Sequence, residues 1–196
     1  MSEQFLFEGF DAAPAPTDRL LFLIYPDVEA AAGIARRAPD LRAEHGLSGR
    51  PVAQDRLHIT LNHLGDHAGV PRDMVALARE AAGTLRASPF DVAFDRVVSF
   101  GGKPGNLPFV MRGGDGLVEL LAFQQALAAA MRKTGSRIGK WAETNFTPHV
   151  TLLYDAKSVA EQAIAPMAWT VREFVLVHSL VGQTRHVVLD RWPLRG

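Results

Sequence analysis

At 196 residues the chain is long enough for one large domain or two small lobes sharing a core. Its 21 Lys plus Arg balance 21 Asp plus Glu, which argues against an electrostatic grip on long duplex nucleic acid and leaves open a small phosphate ligand or the end of an RNA strand. With no cysteine, a disulfide framework and a thiolate metal site are both excluded.

The opening "MSEQFLFEGFD" contains acids and no long apolar core, so it does not read as a signal peptide. No apolar run reaches the roughly 18 residues of a membrane helix. The chain is therefore expected to be cytoplasmic, off the membrane and monomeric. Residues 1–18 form an N-terminal extension that ends in a proline-stiffened linker, "DAAPAPTD"; residues 19–196 form the folded domain.

"RLLFLIYP" (19–26) is a compact apolar run ended by proline, expected as a buried strand. Residues 27–47 are alanine-rich at helical spacing, with Asp27 placed to cap the start and Pro39 expected to kink or restart the helix. A strand over about 57–64 is followed by a helix over 71–87, whose Val75, Ala78, Ala81, Ala82 and Leu85 share a face. "FDVAFDRVVSF" (90–100), "GGKPGN" (101–106) and "PFVMR" (108–112) read as strand, turn and returning strand. A helix over 116–135 places Leu117, Leu121, Gln124, Leu127 and Met131 on one side. Strands are expected over about 147–154, 169–181 and 185–194, the last two joined by "GQT". Each half thus reads strand, helix, strand, then more helix and strand, the pattern of two similar α+β lobes.

One short phrase is written twice. "RLHITLNHL" (56–64) and "FTPHVTLLY" (146–154) each place a histidine, an apolar residue, a threonine and a leucine inside an apolar, extended run. Side chains two apart on a strand share a face, so His58, Thr60 and Asn62 are expected together, opposite Ile59, Leu61 and His63. His149 and Thr151 form the matching set, opposite Val150, Leu152 and Tyr154.

If the two strands meet about a pseudo-twofold axis, two imidazoles and two hydroxyls converge. That set suits phosphoryl transfer without a metal or other cofactor. A neutral imidazole takes a proton from the nucleophile and a protonated one gives a proton to the leaving oxygen, both forms being accessible near neutral pH. Threonine hydroxyls donate to nonbridging phosphate oxygens. A single histidine on a half-buried strand is more often structural; two copies in matching context are hard to explain by packing alone.

A metal site of His58, His63 and His67 is disfavoured, because His58 and His63 point to opposite faces and no acidic cluster adjoins them. "GGKPGN" and "GSRIGKW" (135–141) lack the phosphate-loop pattern and read as turns. Arg132, Lys133, Arg137 and Lys140 form a basic patch that suits a solvated helix end. Arg185, just past "GQT", could reach a phosphate, although an arginine at a strand start is commonly just exposed, and His45, His178 and His186 carry no functional expectation.

On "HITL" (58–61) and "PHVTL" (148–152), with "RLLFLIYP" near the start and "TRHVVLDRWPL" at the end, the sequence resembles the two-histidine (2H) phosphoesterases. Within them it resembles the RNA 2′,3′-cyclic phosphodiesterases, also called 2′-5′ RNA ligases. The resemblance covers roughly 19–194. It implies an α+β, bilobal, duplicated fold with two antiparallel sheets, helices on the outside, a pseudo-twofold axis and an active-site cleft between lobes.

It also implies metal-independent hydrolysis of a 2′,3′-cyclic phosphate at an RNA 3′ end to a 2′-phosphate. His58 would be the proton donor, His149 the proton acceptor, and Thr60 and Thr151 the phosphate holders, with Arg185 added as a phosphate contact. Run in reverse with a 5′-hydroxyl, the same chemistry makes a 2′-5′ linkage. The alternatives are this chemistry on small cyclic nucleotides or ADP-ribose cyclic phosphate, and a module that binds a nucleotide or RNA end without turning it over. The extension and the lack of net basic charge depart from the family pattern.

Overall fold

The computed structural model describes residues 15–135, 146–183 and 185–196. Arg137, Lys140 and most of "GSRIGKW" lie outside the described residues, as does most of the N-terminal extension.

Among the described residues, eight strands form two antiparallel four-stranded sheets. The first sheet has the order β2-β1-β7-β8, from β1 (Asp18–Ile24), β2 (Ile59–His67), β7 (Glu173–Leu180) and β8 (Arg185–Pro193). The second has the order β5-β4-β3-β6, from β3 (Phe90–Ser99), β4 (Leu107–Arg112), β5 (His149–Asp155) and β6 (Gln162–Val171). Strand for strand the two orders correspond, and each motif strand lies at an edge of its sheet. The α+β fold with paired antiparallel sheets is as expected.

Its division along the chain is not. The second sheet is built from the middle of the sequence and the first from both flanks, so the lobes are not successive halves. The run 169–181, read as one strand, is two. Its first residues finish β6 in the second sheet, Arg172 crosses, and the remainder is β7 in the first. An uninterrupted β-rich run gives no sign of a one-residue passage between sheets, and the exposed, weakly apolar start of β6 hid the rest of that strand.

The first helix, α1 (Val28–Glu44), is opened by Asp27, whose side chain accepts from the Ala30 N–H at 2.8 Å. It runs through Pro39 as one element instead of restarting. Ile34, Ala38 and Leu41 are buried on both sides of the proline, and their burial holds the turns that the missing N–H would otherwise weaken. The second helix, α2 (Arg72–Thr84), buries Val75, Ala78, Ala81 and Ala82 as expected, with Pro71 just before its first residue and Leu85 just past its end. In α3 (Val118–Lys133) the buried stripe is Leu120, Phe123, Gln124, Leu127 and Met131; Leu121 is turned toward solvent, one position off the expected face.

One apolar core joins the sheets. Phe123 of α3 packs against Phe90 of the second sheet and Phe174 of the first, with ring centroids 5.7 and 5.1 Å apart. Helix α1, although it follows β1, reaches the second sheet, where Gly33 lies against Met167 and His45 packs edge-on to Phe109 at 5.5 Å. No helix among the described residues is long and apolar enough to cross a membrane.

Candidate active site

The two motif strands, β2 and β5, approach one another. His58 is the last residue before β2 and His149 the first of β5. In both places the chain enters the strand the same way, so the imidazole folds back onto its own backbone. His58 Nδ1 lies 2.6 Å from the Arg56 carbonyl and His149 Nδ1 2.8 Å from the Thr147 carbonyl, each two residues upstream. A carbonyl only accepts, so in both neutral rings Nδ1 carries the hydrogen and Nε2 is left as an acceptor.

His58, Thr60, His149 and Thr151 are all partly exposed, while Ile59, Leu61, Val150 and Leu152 are buried, as the alternation predicts. The pattern changes immediately after each threonine. In the pairing with β1, Phe22 faces Asn62 and Leu23 faces Thr60, so Leu61 is skipped. In the pairing with β4, Phe109 faces Leu153 and Val110 faces Thr151, so Leu152 is skipped. Each motif therefore ends in a β-bulge that inverts the facing of the next residues along the strand. Asn62, expected beside His58 and Thr60, is only 3% exposed, and His63 is turned to solvent, where it meets Asp66 at 2.8 Å. On the second copy Leu153 is buried and Tyr154 is out.

Burial holds the pKa of both imidazoles below the ordinary value. For His58, the charges of His149 and Arg56 add to burial, while the bond to the Arg56 carbonyl opposes it; for His149 the bond to Thr147 opposes burial. The charge of His149 also lowers His58, so a proton on His149 disfavours one on His58.

The surroundings differ between copies. Phe100 stands edge-to-face on His149, centroids 5.0 Å apart and planes at 69°. On His58 the same place is taken by His186, at 5.2 Å and 71°. His186 Nδ1 lies 3.1 Å from the Tyr25 hydroxyl, and Tyr25 is itself 6.5 Å from His58. Burial pushes the Tyr25 hydroxyl up to about 12. Burial, with the charges of His58 and Arg56, pushes His186 down to about 4, against a small opposing effect of Asp55. His186 carries no local motif, and only the β7–β8 pairing brings it here.

Beside His58, on the β8 side, opens a groove of about 870 Å³ whose walls include Tyr25, Arg56, Arg185 and Arg191, with Asp27, Asp55 and Glu173 balancing the three cations. Arg185 thus lies with the first motif, though not with the second. Arg191 is paired to Glu173 at 2.5 Å. On the other side, Arg112 stands opposite His149 in the β4–β5 register, its guanidinium held by Glu161 at 2.9 Å.

Residues 48–53, which lead toward the first motif, run along the free edge of β5. The Val52 N–H donates to the Leu152 carbonyl at 2.7 Å. The Asp155 carboxylate accepts from the Ser48 and Gly49 N–H groups at 2.6 and 2.7 Å, and from the Lys157 N–H at 2.8 Å. These backbone bonds hold Asp155 down at about 2. The approach to His58 is thereby fastened to the strand of His149.

The fold is matched in known proteins. The family model of the 2′-5′ RNA ligase superfamily matches residues 26–183. The chain belongs to the 2′-5′ RNA ligase superfamily. Among curated proteins, the RNA 2′,3′-cyclic phosphodiesterase of Escherichia coli (strain K12) is 31% identical over 160 residues, 75% of this chain and 81% of that protein. Escherichia coli LigT in complex with NADP+ is 30% identical, covering 93% of this chain and all of that one, with a TM-score of 0.62. TT0787 of Thermus thermophilus, at 23% identity, shares the fold with a TM-score of 0.67 over 91% of this chain and 98% of that one.

Proposed function

We propose that this chain hydrolyses a 2′,3′-cyclic phosphate at an RNA 3′ end to a 2′-phosphate without a metal, and that His58 and His149 carry the protons. The carrying observation is the matched pair of imidazoles, each with Nδ1–H spent on a backbone carbonyl two residues upstream and Nε2 left to exchange a proton.

His149 Nε2, neutral, takes a proton from water as the water oxygen bonds to phosphorus. The P–O3′ bond breaks, and His58 Nε2 gives its proton to the departing 3′ oxygen. Burial alone disfavours a charged His58. The negative charge of the bound phosphate restores the imidazolium, so the acid is loaded by its own substrate. Thr60 and Thr151, on the same faces as the histidines, donate to the nonbridging oxygens. Arg185 in the adjoining groove contacts the phosphate that precedes the terminal nucleotide. A 5′-hydroxyl in place of water gives a 2′-5′ linkage by the reverse path.

The reading is supported by the name of the Escherichia coli relative, an RNA 2′,3′-cyclic phosphodiesterase, and by the complex of LigT with 3′-AMP. A second reading, small cyclic nucleotides as substrates, is favoured by the balance of cations and carboxylates in the groove.

The test is hydrolysis of an oligoribonucleotide ending in a 2′,3′-cyclic phosphate, with EDTA present. Wild type is expected to yield the 2′-phosphate, and His58→Ala and His149→Ala to lose about 10²–10⁴-fold. A 3′-phosphate product, or activity abolished by EDTA and restored by a divalent ion, overturns the mechanism. Equal kcat/KM for the oligonucleotide and the cyclic mononucleotide selects the second reading.

A further inference from the structure

His58 and His149 each have an aromatic ring set perpendicular to them at nearly the same separation, 5.2 Å and 71° for His186, 5.0 Å and 69° for Phe100; on His58 the Tyr25 ring stands edge-on as well, farther off at 6.5 Å and 70°. The bond from Nδ1 to the upstream carbonyl fixes one edge of each imidazole and leaves the ring free to tilt about that edge. A second ring packed edge-to-face removes the tilt and so fixes the direction in which Nε2 points. On the second sheet this wedge is a hydrocarbon. On the first it is another imidazole, anchored through its own Nδ1 to the Tyr25 hydroxyl at 3.1 Å.

We propose that His186, oriented by Tyr25, is a positioning residue for His58: it holds the plane of the imidazole as Phe100 does for His149, and works only while uncharged. This rests on the assignment of His58 as the proton donor.

The groups facing His186 bear on its charge. Tyr25 follows β1, Asp55 and Arg56 lie in the turn before β2, Arg185 and Arg191 come from β8, and Glu173 from β7 is already paired with Arg191. Arg56 and His58 both oppose a proton on His186, and Asp55 favours it. A neutral His186 leaves His58 free to take a proton when phosphate binds, whereas a charged one would compete with it directly. The use of a titratable ring where the other lobe uses phenylalanine adds a low-pH limit to the first histidine that the second does not have.

Three variants separate a wedge from a structural filler. His186→Ala is expected to lower kcat about 10- to 100-fold with little change in KM. His186→Phe, which copies the arrangement at His149, is expected to recover most of that loss. His186→Lys places a fixed charge beside His58 and is expected to move the alkaline limb of kcat/KM to lower pH.

The same variants are followed by NMR titration of the His58 imidazole in substrate-free protein, which reads the proposal independently of turnover. His58 is expected to titrate at lower pH in His186→Lys than in wild type, and near the wild-type midpoint in His186→Phe. Tyr25→Phe removes one hydroxyl without emptying the site and is expected to give a partial loss of kcat, which covers the case of a misfolded His186→Ala. Equal impairment of His186→Phe and His186→Ala, or a His58 midpoint unmoved by His186→Lys, overturns the proposal. Absence of turnover in wild type, with the titration shifts as expected, overturns the proposed reaction and leaves the pairing of His186 with His58 standing.

Discussion

Leu61 and Leu152 hold the same place in the two motif strands, each being the residue its partner strand skips, and each has its carbonyl fastened from outside the sheet. Leu61 accepts from the Gln124 side chain of α3 at 3.4 Å, and Leu152 from the Val52 N–H at 2.7 Å. The bulge immediately follows the threonine, so whatever anchors it also sets where the histidine and threonine side chains stand.

Gln124→Leu keeps the volume of a buried side chain and removes the donor to Leu61. The expected cost in stability is about 1 kcal/mol. The expected fall in kcat is about tenfold, because a small displacement of His58 and Thr60 is enough. Chemical denaturation alongside steady-state kinetics checks this; loss of stability with unchanged kcat would remove Gln124 from the machinery.

The segment 48–53 is expected to be sensitive at Gly49, where a Cβ would stand 2.0 Å from the Tyr154 carbonyl oxygen. Gly49→Ala pushes this segment off β5 and is expected to destabilise by about 1–3 kcal/mol. Asp155 fastens the same segment, and its folded pKa of about 2 lies below the ordinary 3.8. Its contribution to stability is thus fully present above 3.8 and is lost as pH falls toward 2. Thermal melts between about pH 6 and pH 2 are expected to drop through this window, and less steeply in Asp155→Asn.

The pH dependence of turnover follows from the depressed histidines. Both free imidazoles titrate below 6.5, so the form with His149 neutral and His58 protonated is most populated on the acidic side of that value. The optimum of kcat/KM, which reports the free enzyme, is expected below pH 6.5, and the optimum of kcat at higher pH, because bound phosphate raises His58. Coincident optima would show that substrate does not load the acid.

Thr60→Val and Thr151→Val remove a hydroxyl at constant shape from partly exposed positions, and each is expected to lower kcat on the order of a hundred-fold with the melting temperature little changed. Arg185→Ala is expected to raise KM for an oligonucleotide more than for a cyclic mononucleotide. Equal effects on both would take Arg185 away from the preceding phosphate.

Apart from β6, the strands, the start of α1 and the repeated histidine phrase were legible because each rests on local chemistry: alternation, an Asp27 cap, a repeated motif. The features that were not legible depend on partners distant in sequence. The bulges at Leu61 and Leu152 are properties of pairing, and they moved Asn62 and Tyr154 from their expected faces. Pro39 is read locally as a break, and only the burial of Ile34, Ala38 and Leu41 shows why the helix continues. His186 has no motif of its own and acquires significance from the strand that places it against His58.

The passage at Arg172 also sets an order of completion during synthesis. A nascent chain that has emerged as far as Val171 already has all four strands of the second sheet, yet only β1 and β2 of the first. Both motifs have emerged by then, but β1 still has an open edge where β7 belongs, and the His186 ring that packs on His58 has not yet emerged. The surroundings of His149 can therefore assemble ahead of those of His58, which must wait for the final hairpin. On the proposed mechanism, the pair is complete only when the last strand is in place.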